Sequence, residues 1–188
     1  MRFDSHSLLH DFLLFKDLIS TLHDSNFLYM TRNEILEEKR LLIEECRMDY
    51  AFKMLTLLEA EIRSDFARTI ASKYRDPLSK AFSGLCDQFR QGRSNYARSR
   101  VEDCERISLD RLITAIIRYF KEQHDLFHKR CSVVKGHFSR FRNWYAHGRC
   151  LRPDPPVIPD PEDLFDIHEE FMENVFDRDR RASGIRGH

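Results

Sequence analysis

Thr31-Arg32-Asn33-Glu34 opens a stretch that runs to about residue 74 without a proline or a glycine, and its reading decides the fold class. A threonine followed three residues later by a glutamate is a capping box, in which each side chain satisfies an orphan backbone N–H at a helix start. Beyond it Ala51, Leu55, Leu58, Ile62, Phe66 and Ile70 recur at spacings of three and four. That periodicity lays one apolar stripe along the second half of a very long helix. Such a length exceeds the ordinary globular range, so the helix must bend or pack along a partner for much of its course.

Outward from this stretch the helical pattern continues on both sides. Residues 7–23 (SLLHDFLLFKDLISTLH) form a short apolar-rich helix. Asp76-Pro77 ends the long pattern, and Pro77 can start a further helix through about Phe89. Residues 91–103 read as the least structured part, with Gly92, Ser94, Asn95 and Ser99 among arginines. Residues 108–122 resume a helix whose broad apolar face holds Leu112, Ile113, Ile116, Ile117 and Phe120. A long helix then runs from near His124 to His147 with the core stripe Val134, Phe138, Phe141 and Tyr145, and Gly148 stands where a left-handed cap would end it. After a rigid connector from Pro153 to Pro161, Asp160-Pro161-Glu162-Asp163 supplies an N-cap, a first-turn proline and acids at the positive helix end. The last helix carries Leu164, Phe165, Ile167, Phe171 and Val175 and ends near Phe176.

Composition agrees with an all-α fold. The 188 residues include only six glycines and six prolines, too little punctuation for a many-stranded fold. A hydrophobic fraction of 41% and a charged fraction of 33% suit one globular domain with a heavily charged surface. The expected organisation is an N-terminal helix over 1–30, the main helical domain over 31–177 and a mobile arginine-rich tail over 178–188. Five cysteines (46, 86, 104, 131 and 150) are scattered without a CxxC pair, which predicts neither a disulfide framework nor structural zinc, but a reducing cytoplasmic setting. The N-terminus Met-Arg-Phe-Asp-Ser-His does not read as a signal peptide, and no apolar run reaches the roughly 20 residues of a membrane span.

The formal charge of zero excludes a strongly basic field over the whole chain. Arginine is nevertheless clustered: Arg90, Arg93, Arg98 and Arg100 fall within thirteen residues that contain no acid. Planar guanidinium forks suit phosphate oxygens, which makes these residues candidates for RNA contact. A solvated loop is the plainer reading of the same run. The pairs His6/His10 and His124/His128 have the i, i+4 spacing of metal ligands, but neither has an obvious third ligand, and no metal or cofactor is expected. There is no phosphate-binding glycine loop and no nucleophile elbow, so kinase, dehydrogenase and serine-hydrolase chemistry lack support.

The segment that can carry chemistry is Arg142-Asn143-Trp144-Tyr145-Ala146-His147-Gly148-Arg149. An arginine and a histidine with four to six residues between them are a poor signal alone, because Arg118/His124, Arg130/His137 and Arg140/His147 satisfy it as well. Context supplies the specificity: an asparagine directly after the arginine, an aromatic pair, a small residue, and His-Gly-Arg at a helix end. This segment resembles the signature of the HEPN superfamily, which includes many intracellular ribonucleases. A weaker likeness covers roughly residues 50–176, through Leu58-Glu59-Ala60-Glu61, a variable middle, the motif helix and the Pro-Asp-rich return into the last helix. The resemblance implies an antiparallel bundle of five to six helices. It also implies a dimer in which two motif helices build one composite cleft, with Arg142 and His147 as catalytic residues.

The residue types suit that chemistry on their own account. RNA is cut without a metal when a base helps the ribose 2′-OH attack its phosphate and an acid protonates the leaving 5′-oxygen. Histidine can fill either role near neutrality, and arginine can clamp the charge that develops on the phosphate. Asn143 lies one turn before His147 and can orient the imidazole. Arg149 is a candidate phosphate contact, and Trp144 or Tyr145 could stack on bases, although Tyr145 also falls on the core stripe. Five residues of ideal helix rotate Arg142 and His147 apart by about 140°. Either a loosened last turn or a second copy would be needed to bring an arginine and a histidine onto one phosphate. The expectation is thus a metal-independent endoribonuclease of a toxin or anti-phage kind, acting as a homodimer and held in check by a neutralising partner such as an antitoxin. The alternatives are a HEPN-like module that binds RNA or protein without cutting, and a dimerisation domain whose motif only caps a helix. Arg142 would then be a surface ion-pair partner and His147 a cap meeting the helix dipole.

Overall fold

A computed structural model describes residues 4–72, 76–91, 106–121, 124–147 and 156–177. Among these every regular element is helical and no strand occurs. The helices are α1 (Ser5–Thr21), α2 (Arg32–Ser72), α3 (Pro77–Gln91), α4 (Leu109–Phe120), α5 (Asp125–His137), α6 (Asn143–Ala146) and α7 (Pro161–Phe171). A 3-10 turn, Asp24–Asn26, lies between α1 and α2, a widened π-helical turn, Phe138–Arg142, joins α5 to α6, and a second, Met172–Phe176, extends α7. No helix among the described residues is long and apolar enough to cross a membrane.

Local capping explains where the helices begin. The Thr31 amide donates to Glu34 Oε2 at 2.7 Å, and the Glu34 amide donates to Thr31 Oγ1 at 3.4 Å, so the capping box expected from the sequence is formed. Asp4 accepts the Ser7 amide at 2.8 Å to open α1, Asp76 accepts the Ser79 amide at 3.1 Å to open α3, and Asp160 accepts the Glu162 amide at 3.0 Å to open α7. α2 continues for 41 residues.

The chain divides into two compact units. The first draws on Met1–Leu57 and Phe141–Asp166. In it α1 lies against the first part of α2 through Phe12 and Tyr50, whose rings are 5.8 Å apart. The start of α7 is tied in by Lys16–Glu162 at 3.1 Å and by an edge-on contact of His6 with Phe165 at 4.9 Å. Arg47 secures the preceding connector, donating to the Ile158 carbonyl at 3.1 Å. Tyr29, in the link between α1 and α2, has φ 67°, a left-handed conformation that costs a non-glycine residue roughly 1–2 kcal/mol.

The second unit draws on Leu58–Arg140 and Ile167–His188. Its core is the later half of the expected stripe, Leu58, Ile62, Phe66 and Ile70, all buried. Phe66 meets Phe82 of α3 edge-on at 5.0 Å, and Phe127 of α5 meets Phe171 of α7 at 5.2 Å. α4 buries Leu112, Ile113, Ala115, Ile116 and Phe120 and packs against α3 and α5, while Ile117 is only half-buried. Burying each such side chain contributes about 1.5–3 kcal/mol. Cys86 and Cys131 serve here as small apolar residues, and burial pushes the Cys131 thiol up to about 12.

Candidate functional site

The motif helix differs from the sequence expectation in one respect. The pattern predicts a single α-helix from 124 to 147, but the backbone widens over Phe138–Arg142 and returns to α geometry at Asn143–Ala146. Gly136 lacks a side chain to brace the preceding turn, and the Ser139 hydroxyl donates to its carbonyl at 3.1 Å. A hydroxyl bonding back to the main chain in this way is a recognised source of helix distortion. Single-turn π-bulges are frequent at functional positions.

The widening stops before the turn that matters for the two candidate catalytic residues. The His147 amide still donates to the Asn143 carbonyl at 3.1 Å, so the backbone from Asn143 onward keeps the α spacing. The sequence allowed a loosened last turn as a way to align Arg142 with His147, and that loosening is found one turn earlier instead. Arg142 is half-buried, whereas Asn143, Ala146 and His147 are exposed. The Arg142 guanidinium Nη1 lies 3.4 Å from Asn143 Oδ1. His147 itself occupies the C-cap, with φ −90° and ψ 21°.

Beside these exposed residues the aromatic residues form a base. Phe141 is fully buried, and Trp144 and Tyr145 are half-buried beside it, with ring centroids 6.3 and 5.9 Å away. Tyr145 also packs on Phe52 of α2 at 4.8 Å. Tyr145 therefore acts as packing, as its place on the stripe suggested, and Trp144 divides its surface between Phe141 and solvent. One residue on from Phe52, Lys53 is bound to Asp49 at 2.6 Å and lies over the Tyr50 ring at 4.6 Å. Burial works against the Lys53 ammonium, but Asp49, Tyr50 and Tyr145 outweigh it and raise its pKa. The i, i+4 spacing of Asp49 and Lys53 marks an ion pair in the sequence. Its position beside the motif depends on tertiary packing that no local pattern displays.

Of the other candidates, Arg90 is exposed in the last turn of α3, where a cation meets the negative helix end. Arg93, Arg98, Arg100, Gly148 and Arg149 lie outside the described residues, as does 178–188. His124 caps α5, its Nδ1 accepting the Phe127 amide at 3.4 Å, so one member of that histidine pair has a structural task. His6 is engaged with Phe165. Among the described residues no three His, Cys, Asp or Glu side chains gather into a metal-binding group.

The sequence reading passed over one cluster. His168 of α7 is buried, with Nε2 2.5 Å from Glu61 Oε2 and Nδ1 3.4 Å from Glu169 Oε1. Its signal was available, since Leu164, His168 and Phe171 recur at helical spacing and a histidine on a buried stripe requires polar partners. No family model, no curated protein and no solved structure matches the chain.

Proposed function

We propose that the chain is a metal-independent endoribonuclease of HEPN-like fold, acting as a homodimer in a cytoplasmic toxin or anti-phage role. The observation that carries this reading is the geometry of the last motif turn. His147 and Asn143 are open to solvent, while Arg142, the last residue of the widened turn, is half-buried. A second copy facing this helix would add its own arginine and histidine to the same phosphate, because five residues of ideal helix rotate the two residues of one copy apart by about 140°. In the reaction one imidazole takes the proton of the ribose 2′-OH as the 2′-oxygen bonds to phosphorus. The bond from phosphorus to the 5′-oxygen breaks, and the second imidazole protonates that oxygen. Arg142 stabilises the non-bridging oxygens, and Asn143, within reach of Arg142 at 3.4 Å, orients the arginine or the imidazole. Arg149, Trp144 and the arginines at 90, 93, 98 and 100 would extend contact along the RNA. An antitoxin or similar partner would restrain it.

A second reading is a module of the same fold that binds RNA or protein without cutting. The position of His147 at the C-cap favours it, because a histidine there serves the helix end without any substrate. The deciding experiment incubates the purified full chain with single-stranded RNA in excess EDTA and analyses the ends formed. The nuclease reading expects 2′,3′-cyclic phosphate or its hydrolysis product, with DNA left intact because it lacks the 2′-OH. Dependence on a divalent ion overturns the mechanism, and RNA binding without cleavage supports the module.

A further inference from the structure

We infer that α1, the link after it and the first turns of α2 form a docking surface for a positively charged amphipathic helix of another protein, whether or not the chain cuts RNA. Among the described residues, ten of the fourteen large apolar side chains left open fall between positions 13 and 42. Leu14, Leu18 and Leu36 are more than half exposed, Leu28 is 74% exposed and Tyr29 is fully so. Isolated exposed leucines are ordinary, but a concentration of this kind marks an interaction site.

The elements carrying them are held together. Phe12 and Phe15 of α1 both face Tyr50, and Lys39 of α2 donates to the Leu22 carbonyl at 2.5 Å while lying over the Phe27 ring at 5.7 Å. Tyr29 projects from the link on left-handed backbone, an unfavourable conformation for a residue that buries nothing within its own chain.

Charge selects the occupant. Residues 4–45 carry nine carboxylates against four cations, in a chain whose total is zero. Three of those cations are already engaged: Lys16 with Glu162 at 3.1 Å, Lys39 with the Leu22 carbonyl, and Arg40 with Glu37 at 2.7 Å. The segment that carries these open side chains is therefore net negative. RNA and an anionic bilayer are repelled, and a two-fold contact with a second copy would set the same negative surface against itself. No described element is a strand, so no sheet edge offers backbone pairing. Recognition falls to side chains, in the helix-on-apolar-surface mode, with leucines of the partner on the apolar area and its lysines or arginines on the rim.

The test uses a labelled synthetic helix of alternating leucine and lysine faces, titrated with the full chain by fluorescence anisotropy. Binding is expected, weakening between about 50 and 300 mM salt as the rim charges are screened. Leu18→Ser with Leu36→Ser should weaken it roughly tenfold. Asp17→Asn with Glu38→Gln should weaken it at low salt and flatten the salt dependence. All four sites are on helices, so circular dichroism checks that folding is kept; the polar pair alters charge only and remains decisive if the serine pair unfolds. Equal binding of a glutamate version of the peptide, no effect of the polar pair, or no binding at all overturns the proposal. So does a concentration-dependent oligomer that the serine pair dissolves, which would assign the surface to a second copy, or equal binding to phosphatidylcholine vesicles, which would assign it to a bilayer.

Discussion

The imidazole of His168 is held between Glu61, 2.5 Å from Nε2, and Glu169, 3.4 Å from Nδ1. An ionised carboxylate only accepts hydrogen bonds, so a carboxylate beside each nitrogen favours the imidazolium, which can donate from both. Burial disfavours that charge, but the Glu61 contact overcomes it, with Glu169 adding, and the pKa of His168 is raised. A folded-state value above the unfolded one, about 6.5, gives stability that is fully present below that pH and is lost as pH rises through the raised value. The urea midpoint of the wild type should therefore fall as the pH rises above about 6.5. Glu61→Gln should cost about 1–3 kcal/mol at pH 6 and flatten that pH dependence. An unchanged slope in Glu61→Gln would show that the contact does not hold the proton.

Phe141→Ala tests whether the motif stands on its aromatic base. Phe141 is fully buried beside Trp144 and Tyr145. Truncation should cost about 3–5 kcal/mol in denaturant unfolding, as for other buried phenylalanines. A loss under 1 kcal/mol would mean that the aromatic base collapses easily to fill the space.

What the sequence could convey, and what it could not, divides along the range of the interaction. The capping box at Thr31 and Glu34 and the stripe from Ala51 to Ile70 were legible because both arise within a few turns of one helix. The widened turn at Phe138–Arg142 was not, because Phe127, Cys131, Val134, Phe138 and Phe141 keep the ordinary alternation of three and four. The contacts Phe52–Tyr145 and Glu61–His168 were hidden for another reason. Each joins distant parts of the chain, the latter 107 residues apart, where composition and periodicity carry no pairing information. At the candidate site the identity of Arg142, Asn143 and His147 was readable, and their division between half-buried and exposed positions was not.

Thr31→Ala isolates the capping box. Removing the hydroxyl takes away the acceptor of the Glu34 amide and one donor to the Glu34 carboxylate. The expected cost is about 1 kcal/mol. Hydrogen exchange should rise in the first turn of α2 and remain unchanged along Leu58, Ile62 and Phe66. Uniform acceleration along all of α2 would mean that this helix opens as one cooperative unit.

The proposed chemistry makes its sharpest claim for Arg142, Asn143 and His147 measured together. With full-length protein and single-stranded RNA in EDTA, His147→Ala should lose the proton-transfer contribution, on the order of 10²–10⁴-fold in rate. Arg142→Ala should lose charge stabilisation, on the order of 10²–10³-fold. Asn143→Ala should cost less than either, because the amide orients a neighbour 3.4 Å away and is given no proton to transfer. Light scattering at tens of micromolar should give a dimer for the wild type and all three variants, with equal helicity by circular dichroism. A monomer that cleaves at full rate would remove the need for a second copy. Undiminished cleavage by His147→Ala would remove the imidazole from the mechanism and leave His147 with the helix-capping position it visibly occupies.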